Sequence, residues 1–146
     1  MDRKLILLVE DDEDHEELTL LAIKQANLET EVVIARDGAE ALDYLFSTGA
    51  YQGRKTKIPN LVLLDLKLPK INGIEVLRRL RASAKTTLLP VVILTSSTEE
   101  CDIVSGYSCG ANSYIRKPVD FDKFTDAVQR LGLYWLSLNH SAPSAE

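Results

Sequence analysis

The fold of this chain is decided by the stretch Leu61-Val62-Leu63-Leu64-Asp65, in which four large aliphatic side chains are followed by a carboxylate. Leu66-Lys67-Leu68-Pro69 comes next, so the pattern predicts a short buried strand with one charge at its C-terminal tip. In an open α/β sheet, ligands bind outside the carboxyl ends of the strands. Asp65 is therefore a candidate functional residue, provided that other strands bring polar groups to the same edge.

Composition narrows the class of protein. The chain has 146 residues, 45% hydrophobic and 27% charged, which is typical of one globular domain with a sizeable core. The formal net charge is −5 and the basic tract Arg54-Lys55-Thr56-Lys57 is short, so we expect a solvated loop there and no nucleic-acid partner. The apolar run at residues 5–9 is too short for a signal peptide, and no stretch has the length of a membrane span. This predicts a cytoplasmic protein without a membrane partner.

Four further apolar runs predict strands, at residues 5–9, 31–35, 90–94 and 113–116. A helical pattern follows each strand, and several helices begin at a predicted capping residue: Asp37 with Glu40, Asn72-Gly73, Ser97 with Glu100, and Asp120. Five strand–helix units in succession predict an α/β fold. We expect a doubly wound, three-layer (βα)5 sandwich with a parallel sheet of strand order 2-1-3-4-5.

Polar side chains end four of these strands. Glu10 and Asp11 follow strand one, Asp65 follows strand three, Thr95 ends strand four and Lys117 follows strand five. In this strand order the carboxylates meet at one edge, facing a hydroxyl and an ammonium group. Three close carboxylates repel, so one is driven to protonate unless a cation lies among them. Mg²⁺ fits best, because it binds one or two carboxylates and completes its shell with water and phosphate oxygens. The set suits a phosphoryl group on or near Asp65.

Each of these residues alone has an ordinary structural explanation. A single acid at a strand end is more often a helix cap than a ligand, and Thr95 or Lys117 alone would carry no information. The combination at four strand ends of one sheet favours a functional site. His15, one turn from the acids, is interpreted as a solvated helix residue in preference to a metal ligand. A phosphohydrolase with an Asp nucleophile is disfavoured, because it needs a second acid where this chain has Lys67.

These motifs resemble the receiver domain of bacterial two-component response regulators, over about residues 3–135, with a flavodoxin-like fold. The resemblance rests on Leu8-Val9-Glu10-Asp11-Asp12, on Leu63-Leu64-Asp65-Leu66-Lys67-Leu68-Pro69 with Gly73 following, on Ile93-Leu94-Thr95-Ser96, and on Tyr114-Ile115-Arg116-Lys117-Pro118. The spacings from Asp65 to Thr95 and from Thr95 to Lys117 also agree with the family. We expect one receiver domain over residues 1–138, a tail over residues 139–146 and no output domain.

The resemblance implies a phosphoacceptor protein. Asp65 would take a phosphoryl group from a phosphohistidine on a sensor histidine kinase. Glu10, Asp11, Asp65 and the backbone carbonyl of Lys67 would hold Mg²⁺, and Asp12 would be a helix cap. Beyond its own phosphoryl transfer and slow autodephosphorylation, the protein would not be an enzyme. The alternatives are a pseudo-receiver that works without phosphorylation and an intermediate in a phosphorelay.

The resemblance also implies a switch. Thr95 and Lys117 would bind the phosphoryl oxygens, and the Lys117–Pro118 peptide would be cis. Tyr114 would turn inward as Thr95 moves toward the phosphoryl group, and the repacked surface would signal by protein contacts. Lys67 has a long side chain that can lean over the site and alter dephosphorylation.

Four segments are similar to the small response regulators paired with cyanobacterial phytochromes. They are the long loop over residues 46–60, Lys67-Leu68-Pro69-Lys70, Asp120-Phe121-Asp122 and Leu131-Gly132-Leu133-Tyr134-Trp135-Leu136. This implies a phytochrome as the kinase. The apolar end of the chain either packs on the core or forms an interface, since exposed aromatic patches favour contacts. We expect a homodimer whose interface includes Tyr114, Tyr134, Trp135 and Leu136.

Overall fold

A single sheet of five parallel strands lies at the centre of the computed structural model, which describes residues 4–26, 30–53, 58–96, 99–117 and 120–138. The strands are β1 (Lys4–Val9), β2 (Thr30–Ala35), β3 (Leu61–Leu64), β4 (Val91–Thr95) and β5 (Ser113–Arg116). Their order in the sheet is β2-β1-β3-β4-β5, which confirms the predicted doubly wound α/β fold. The basic tract at 54–57, the tail at 139–146 and Pro118 of the predicted cis peptide lie outside the described residues.

Five α-helices alternate with the strands: α1 (Glu13–Gln25), α2 (Gly38–Phe46), α3 (Gly73–Ala82), α4 (Glu100–Ser108) and α5 (Phe121–Gly132). Side chains cap the N-termini of four of them, namely Asp12, Asp37, Asn72 and Asp120. Asp12 accepts hydrogen bonds from the backbone N–H groups of Asp14 and His15, as expected of a helix cap. The start of α4 differs from the prediction, because Glu99 is its N-cap residue and makes no side-chain capping bond. The predicted cap, Ser97, lies outside the described residues.

Side chains alternate between the two faces of the sheet, and each face has its own apolar core. The first core joins Leu7, Val9, Val62, Leu64 and Ile93 to buried residues of α2 and α3. The second joins Ile6, Leu8, Leu61, Leu63 and Leu94 to buried residues of α1 and α5. Both faces are therefore covered, which leaves the strand ends as the places where polar side chains gather. In the described part of the chain, every helix is too short or too polar to cross a bilayer.

The chain continues beyond α5 as a π-helical segment, Leu133–Leu138. Leu136 is only 6% exposed and belongs to the second core, against which Trp135 is also partly buried. Leu133 and Tyr134 are about half exposed, at 51% and 49%. Part of the apolar end thus packs on the core, and part of it stays exposed. Leu136 offers almost no surface to a partner, because its own protomer covers it, so it leaves the predicted set of dimer contacts.

Arg81, near the end of α3, ties together the segments that precede β4 and β5. Its guanidinium group donates to the carbonyl oxygens of Thr86, Thr87, Leu89 and Gly110 at 2.7–3.2 Å. It also donates to Asn112 Oδ1 at 3.0 Å, and the same oxygen accepts from the backbone N–H of Val91 at 2.8 Å. One side chain therefore satisfies carbonyls in two loops and fixes where two strands begin.

We expect Arg81→Ala to lower the free energy of unfolding by about 2 kcal/mol, because it leaves several partly buried carbonyls without a donor. Arg81→Lys should recover only part of that loss, since an ammonium group cannot reproduce the planar fork of donors. Arg79→Ala is the matched control from the same helix, because Arg79 is half exposed and pairs only with Glu75 among the described residues. Urea unfolding followed by circular dichroism compares the three variants. Equal losses in the Arg79 and Arg81 variants would contradict the assignment.

Candidate functional site

The parallel register brings the polar strand ends to one edge. Val9 pairs with Leu64, so Glu10 and Asp65 leave neighbouring strands side by side, and the backbone N–H of Asp65 donates to the Val9 carbonyl at 3.1 Å. On the other side, the backbone N–H of Lys117 donates to the Thr95 carbonyl at 2.7 Å. The predicted residues at the ends of β1, β3, β4 and β5 therefore lie together.

Asp65 is held from both sides of its carboxylate. Thr95 Oγ1 donates to Asp65 Oδ1 at 2.8 Å, and Lys117 Nζ donates to Asp65 Oδ2 at 3.0 Å. The backbone N–H of Lys67 adds a longer contact to Oδ1 at 3.3 Å. The side chain of Lys117 is 4% exposed and that of Asp65 is 11% exposed, so this ion pair is shielded from water. These contacts orient the carboxylate and leave it ionised beside a cation.

A glycine shapes the backbone behind Asp65. Gly73, the first residue of α3, lies so close to the β3–α3 loop that an added Cβ would be 2.3 Å from the Asp65 carbonyl oxygen and 2.7 Å from Leu66 Cα. The Gly73 N–H donates to the Leu66 carbonyl at 2.8 Å, which closes the loop on itself. The absence of a side chain at Gly73 is what lets α3 begin directly beneath the candidate phosphoacceptor.

Glu10 shares the ammonium group with Asp65. Lys117 Nζ donates to Glu10 Oε1, and Glu10 is only 2% exposed. Burial raises the pKa of Glu10 to about 7, because the lowering effect of Lys117 does not outweigh lost hydration and the neighbouring Asp65. Burial also acts to raise the pKa of Asp65, but Lys117 and the Thr95 hydroxyl outweigh it and hold that pKa below its usual value. Glu10 is therefore the acid driven toward protonation, mainly by burial and to a smaller extent by the neighbouring Asp65 carboxylate.

The acids have the arrangement of a site for a hard divalent cation. Carboxylate oxygens of Glu10, Asp11 and Asp65 lie within 4.8 Å of one another. Glu10 and Asp65 are buried, whereas Asp11 is exposed and open to water, as suits an ion that keeps part of its hydration shell. Burial disfavours the charged form of Glu10, and a cation beside it would favour that form again. The residues present thus fit Mg²⁺.

The structure also places two other residues that the sequence singled out, Lys67 and Tyr114. The side chain of Lys67 is exposed and lines a cleft together with Asn72 and Asp102. Tyr114 is partly buried against the first core, and its ring is about 3.3 Å from where a Cβ of Gly106 in α4 would lie. The Tyr114 backbone N–H donates to the Tyr107 hydroxyl at 3.2 Å. The Tyr114 ring therefore lies against α4, and its backbone is hydrogen-bonded to the same helix.

His15 is the residue that the sequence interpretation misjudged. Its Nδ1 lies 2.9 Å from Lys117 Nζ, so it is part of the polar cluster and not merely a solvated helix residue. An atom that accepts from an ammonium group cannot bind a metal ion at the same time, which also removes Nδ1 as a metal ligand. The predicted cap at Asp12 was the available indication, because it puts His15 in the first turn of α1, at the edge where the strands end.

Comparison with known proteins gives a family. Residues 6–129 match the response regulator receiver domain. FilR2 of Methanothrix harundinacea, a probable methanogenesis regulatory protein, is 39% identical over 137 residues, covering 94% of this chain and 86% of that protein. Response regulator Rcp1 of Synechocystis sp. is 36% identical over 133 residues, covering 91% of this chain and 89% of that protein.

Two crystal structures have the same fold. The Mn²⁺-bound form of Rcp1 aligns with a TM-score of 0.89 and 34% identity, covering 96% of this chain and 99% of that chain. The phosphorylated cyanobacterial phytochrome response regulator RcpA aligns with a TM-score of 0.91 and 35% identity, covering 97% of this chain and 100% of that chain. Both alignments extend over nearly the full length of each chain and agree with the sheet described above. This chain belongs to the response regulator receiver family and is a signalling protein.

Proposed function

We propose that this chain accepts a phosphoryl group on Asp65 from the phosphohistidine of a sensor histidine kinase. The observation that carries the proposal is the convergence of Lys117 and Thr95 on the two oxygens of one buried carboxylate. A carboxylate oxygen attacks phosphorus, the phosphorus–nitrogen bond breaks, and its electron pair stays on the imidazole of the kinase. The lowered pKa of Asp65 keeps the nucleophile ionised at neutral pH.

The cation and the ammonium group have separate tasks. Glu10, Asp11, Asp65 and the Lys67 carbonyl would hold Mg²⁺, which would supply positive charge to the phosphoryl oxygens. Lys117 neutralises charge from the opposite side, where its Nζ already contacts Asp65. Thr95 Oγ1 can exchange its present bond to Asp65 Oδ1 for one to a phosphoryl oxygen, since a hydroxyl rotates freely. The intact set favours a phosphorylated receiver over a pseudo-receiver.

We infer that a phytochrome is the kinase partner. The support is the similarity to RcpA, a phytochrome response regulator that aligns over nearly the whole chain, together with the resemblance of the C-terminal segment to such regulators. FilR2, which is also similar to this chain, is a probable methanogenesis regulatory protein, so sequence similarity alone does not identify the kinase. Phosphotransfer from purified candidate kinases, compared at equal concentrations, identifies the cognate one by its rate. A rate for phytochrome kinases no higher than that for unrelated kinases would contradict the inference.

We also propose a homodimer through the face formed by α4, β5 and α5, together with the π-helical segment that continues α5. Large exposed apolar side chains occur on α4, where they are Val104 and Tyr107, and on the π-helical segment, where they are Leu133 and Tyr134. Tyr134 and Trp135 make an edge-to-face pair with ring centroids 5.0 Å apart, so the exposed ring is already ordered by a partly buried one. Ordered aromatic side chains lose little conformational entropy on association. Leu136 is not part of this surface.

We expect acetyl phosphate to label the protein in the presence of Mg²⁺ and Asp65→Asn to abolish labelling, because the amide is not a competent nucleophile. Asp120→Asn is the matched control, since asparagine caps a helix as well as aspartate does. Intact-protein mass spectrometry and Phos-tag electrophoresis measure the modification. Labelling that persists in the Asp65 variant would refute the assignment, and no labelling of the unmodified chain would favour a pseudo-receiver.

Sedimentation should find a dimer at tens of micromolar protein, and Tyr134→Ser should shift it toward monomer, because it removes an aromatic contact from the proposed interface. Leu21→Ser is the control, since Leu21 is 40% exposed on α1, outside the proposed interface. Measurements with and without a phosphoryl mimic cover both states. Monomer alone under both conditions would rule out the dimer.

A further inference from the structure

We propose that His15 is a positioning residue for Lys117: its neutral imidazole accepts the third hydrogen bond of the ammonium group and holds Nζ beside Asp65. The contact itself is independent of phosphorylation, whereas its consequence for phosphoryl transfer rests on the function proposed above. The residue is not in contact with Asp65 and acts only through the lysine.

The three N–H bonds of the ammonium group have three partners. Lys117 Nζ contacts Glu10 Oε1, Asp65 Oδ2 at 3.0 Å and His15 Nδ1 at 2.9 Å. An ammonium group has three donors and no acceptor, so its donor capacity is fully used. The Lys117 side chain is 4% exposed, so with its three partners in place the ammonium group is shielded from water. His15 is therefore the one uncharged member of a complete coordination of the lysine.

The contact also determines the tautomer of His15. Because an ammonium group only donates, Nδ1 must present a lone pair and the ring proton must lie on Nε2. Asp12 Oδ2 is 3.8 Å from the same Nδ1, too far for a hydrogen bond that would compete for it. A neutral acceptor is suited to this place, since a carboxylate there would use up positive charge that the phosphoryl group needs.

The backbone of His15 is restrained on both sides. Its N–H donates to the capping carboxylate of Asp12 at 3.2 Å. Its carbonyl accepts from the hydroxyl of Thr19 at 2.7 Å, and Thr19 is fully buried. The first turn of α1 is thus fixed relative to the core, which places the imidazole next to the end of β5. The lysine is held from a rigid element and not from a loop.

Removing the acceptor frees one N–H of a buried ammonium group. Nζ would then move to recover a third partner, and its two contacts with the acids would lengthen. His15→Leu should slow Mg²⁺-dependent phosphorylation of Asp65 by about three- to tenfold, the range of one ordinary net hydrogen bond, because the loss reaches Asp65 only through the lysine. His15→Asn should stay within about twofold of the unmodified rate, because its Oδ1 occupies the place of Nδ1 and keeps a lone pair there.

The first experiment detects the contact without phosphorylation. The chain has two histidines, so ¹⁵N spectra of the imidazole groups contain one comparison residue, His140. We expect His15 to hold its proton on Nε2 at neutral pH, and Lys117→Met to change its signals while those of His140 stay the same. Signals of His15 that average over both tautomers, or that ignore Lys117→Met, would overturn the proposal.

The second experiment measures the rate of labelling by acetyl phosphate in the unmodified chain, His15→Leu and His15→Asn, with thermal unfolding as the check on folding. A slow rate in His15→Leu together with a normal rate in His15→Asn would show that the side chain at position 15 acts as a hydrogen-bond acceptor and not through helix packing. An unchanged rate in the leucine variant, or equal slowing in both variants, would refute the positioning role. If the leucine variant does not fold, a slowed asparagine variant still contradicts the proposal, and the imidazole spectra still test the contact. If the unmodified chain is never labelled, the proposed function fails while the spectra test the contact.

Discussion

The buried ammonium group of Lys117 is the interaction on which the site depends. Adjacent strands are about 4.8 Å apart, and β4 lies between β3 and β5, so the distance from β5 to β3 is about 10 Å. Only a long side chain at the end of β5 can reach past β4 to Asp65. A lysine buried to this degree is stable only when its charge is paired, because removing one partner leaves an uncompensated charge away from water. The register of β1, β3 and β5 therefore has two consequences. It sets the hydrogen bonding of the sheet, and it brings Lys117 next to Glu10 and Asp65.

Lys117 alone does not balance the acids at this edge of the sheet, although it pairs with both Glu10 and Asp65. Three acids face one ammonium group, and burial pushes Glu10 toward its neutral form while Asp65 stays ionised. The two carboxyl groups differ because the Thr95 hydroxyl helps Lys117 to outweigh burial at Asp65, whereas at Glu10 burial outweighs Lys117. The two apolar cores stabilise the domain despite this unbalanced charge, and the acidic site still attracts a cation. The fold tolerates this because the polar groups lie at the strand ends, beyond the buried aliphatic stretches of β1 and β3.

The sequence predicted what depends on local pattern. The aliphatic runs predicted the strands, the alternation of strands and helices predicted the doubly wound fold whose strand order was then found, and short polar side chains predicted the helix starts at Asp37 and Asn72. The place of His15 was missed because spacing along a helix shows which residues share a face, but not how that face is turned toward the strand ends. The burial of Leu136 was missed for a related reason. A π-helical segment has more residues per turn than an α-helix, so the ordinary period does not tell which side chains meet the core.

The route from Asp65 to the surface is short, and its geometry supports the proposed switch. Thr95 pairs with Arg116 and Ile93 pairs with Tyr114 in the β4–β5 ladder, so a shift of Thr95 toward a phosphoryl group acts on the strand that carries Tyr114. The tyrosine ring has little room, because it lies against α4 where Gly106 lacks a side chain. Packed protein interiors change between discrete arrangements more readily than they deform continuously. In the proposed switch, the Tyr114 ring would therefore either keep its present place or turn together with α4. In the proposed switch, a charge change at the end of β3 would thus reach α4, a helix that carries the exposed apolar side chains Val104 and Tyr107.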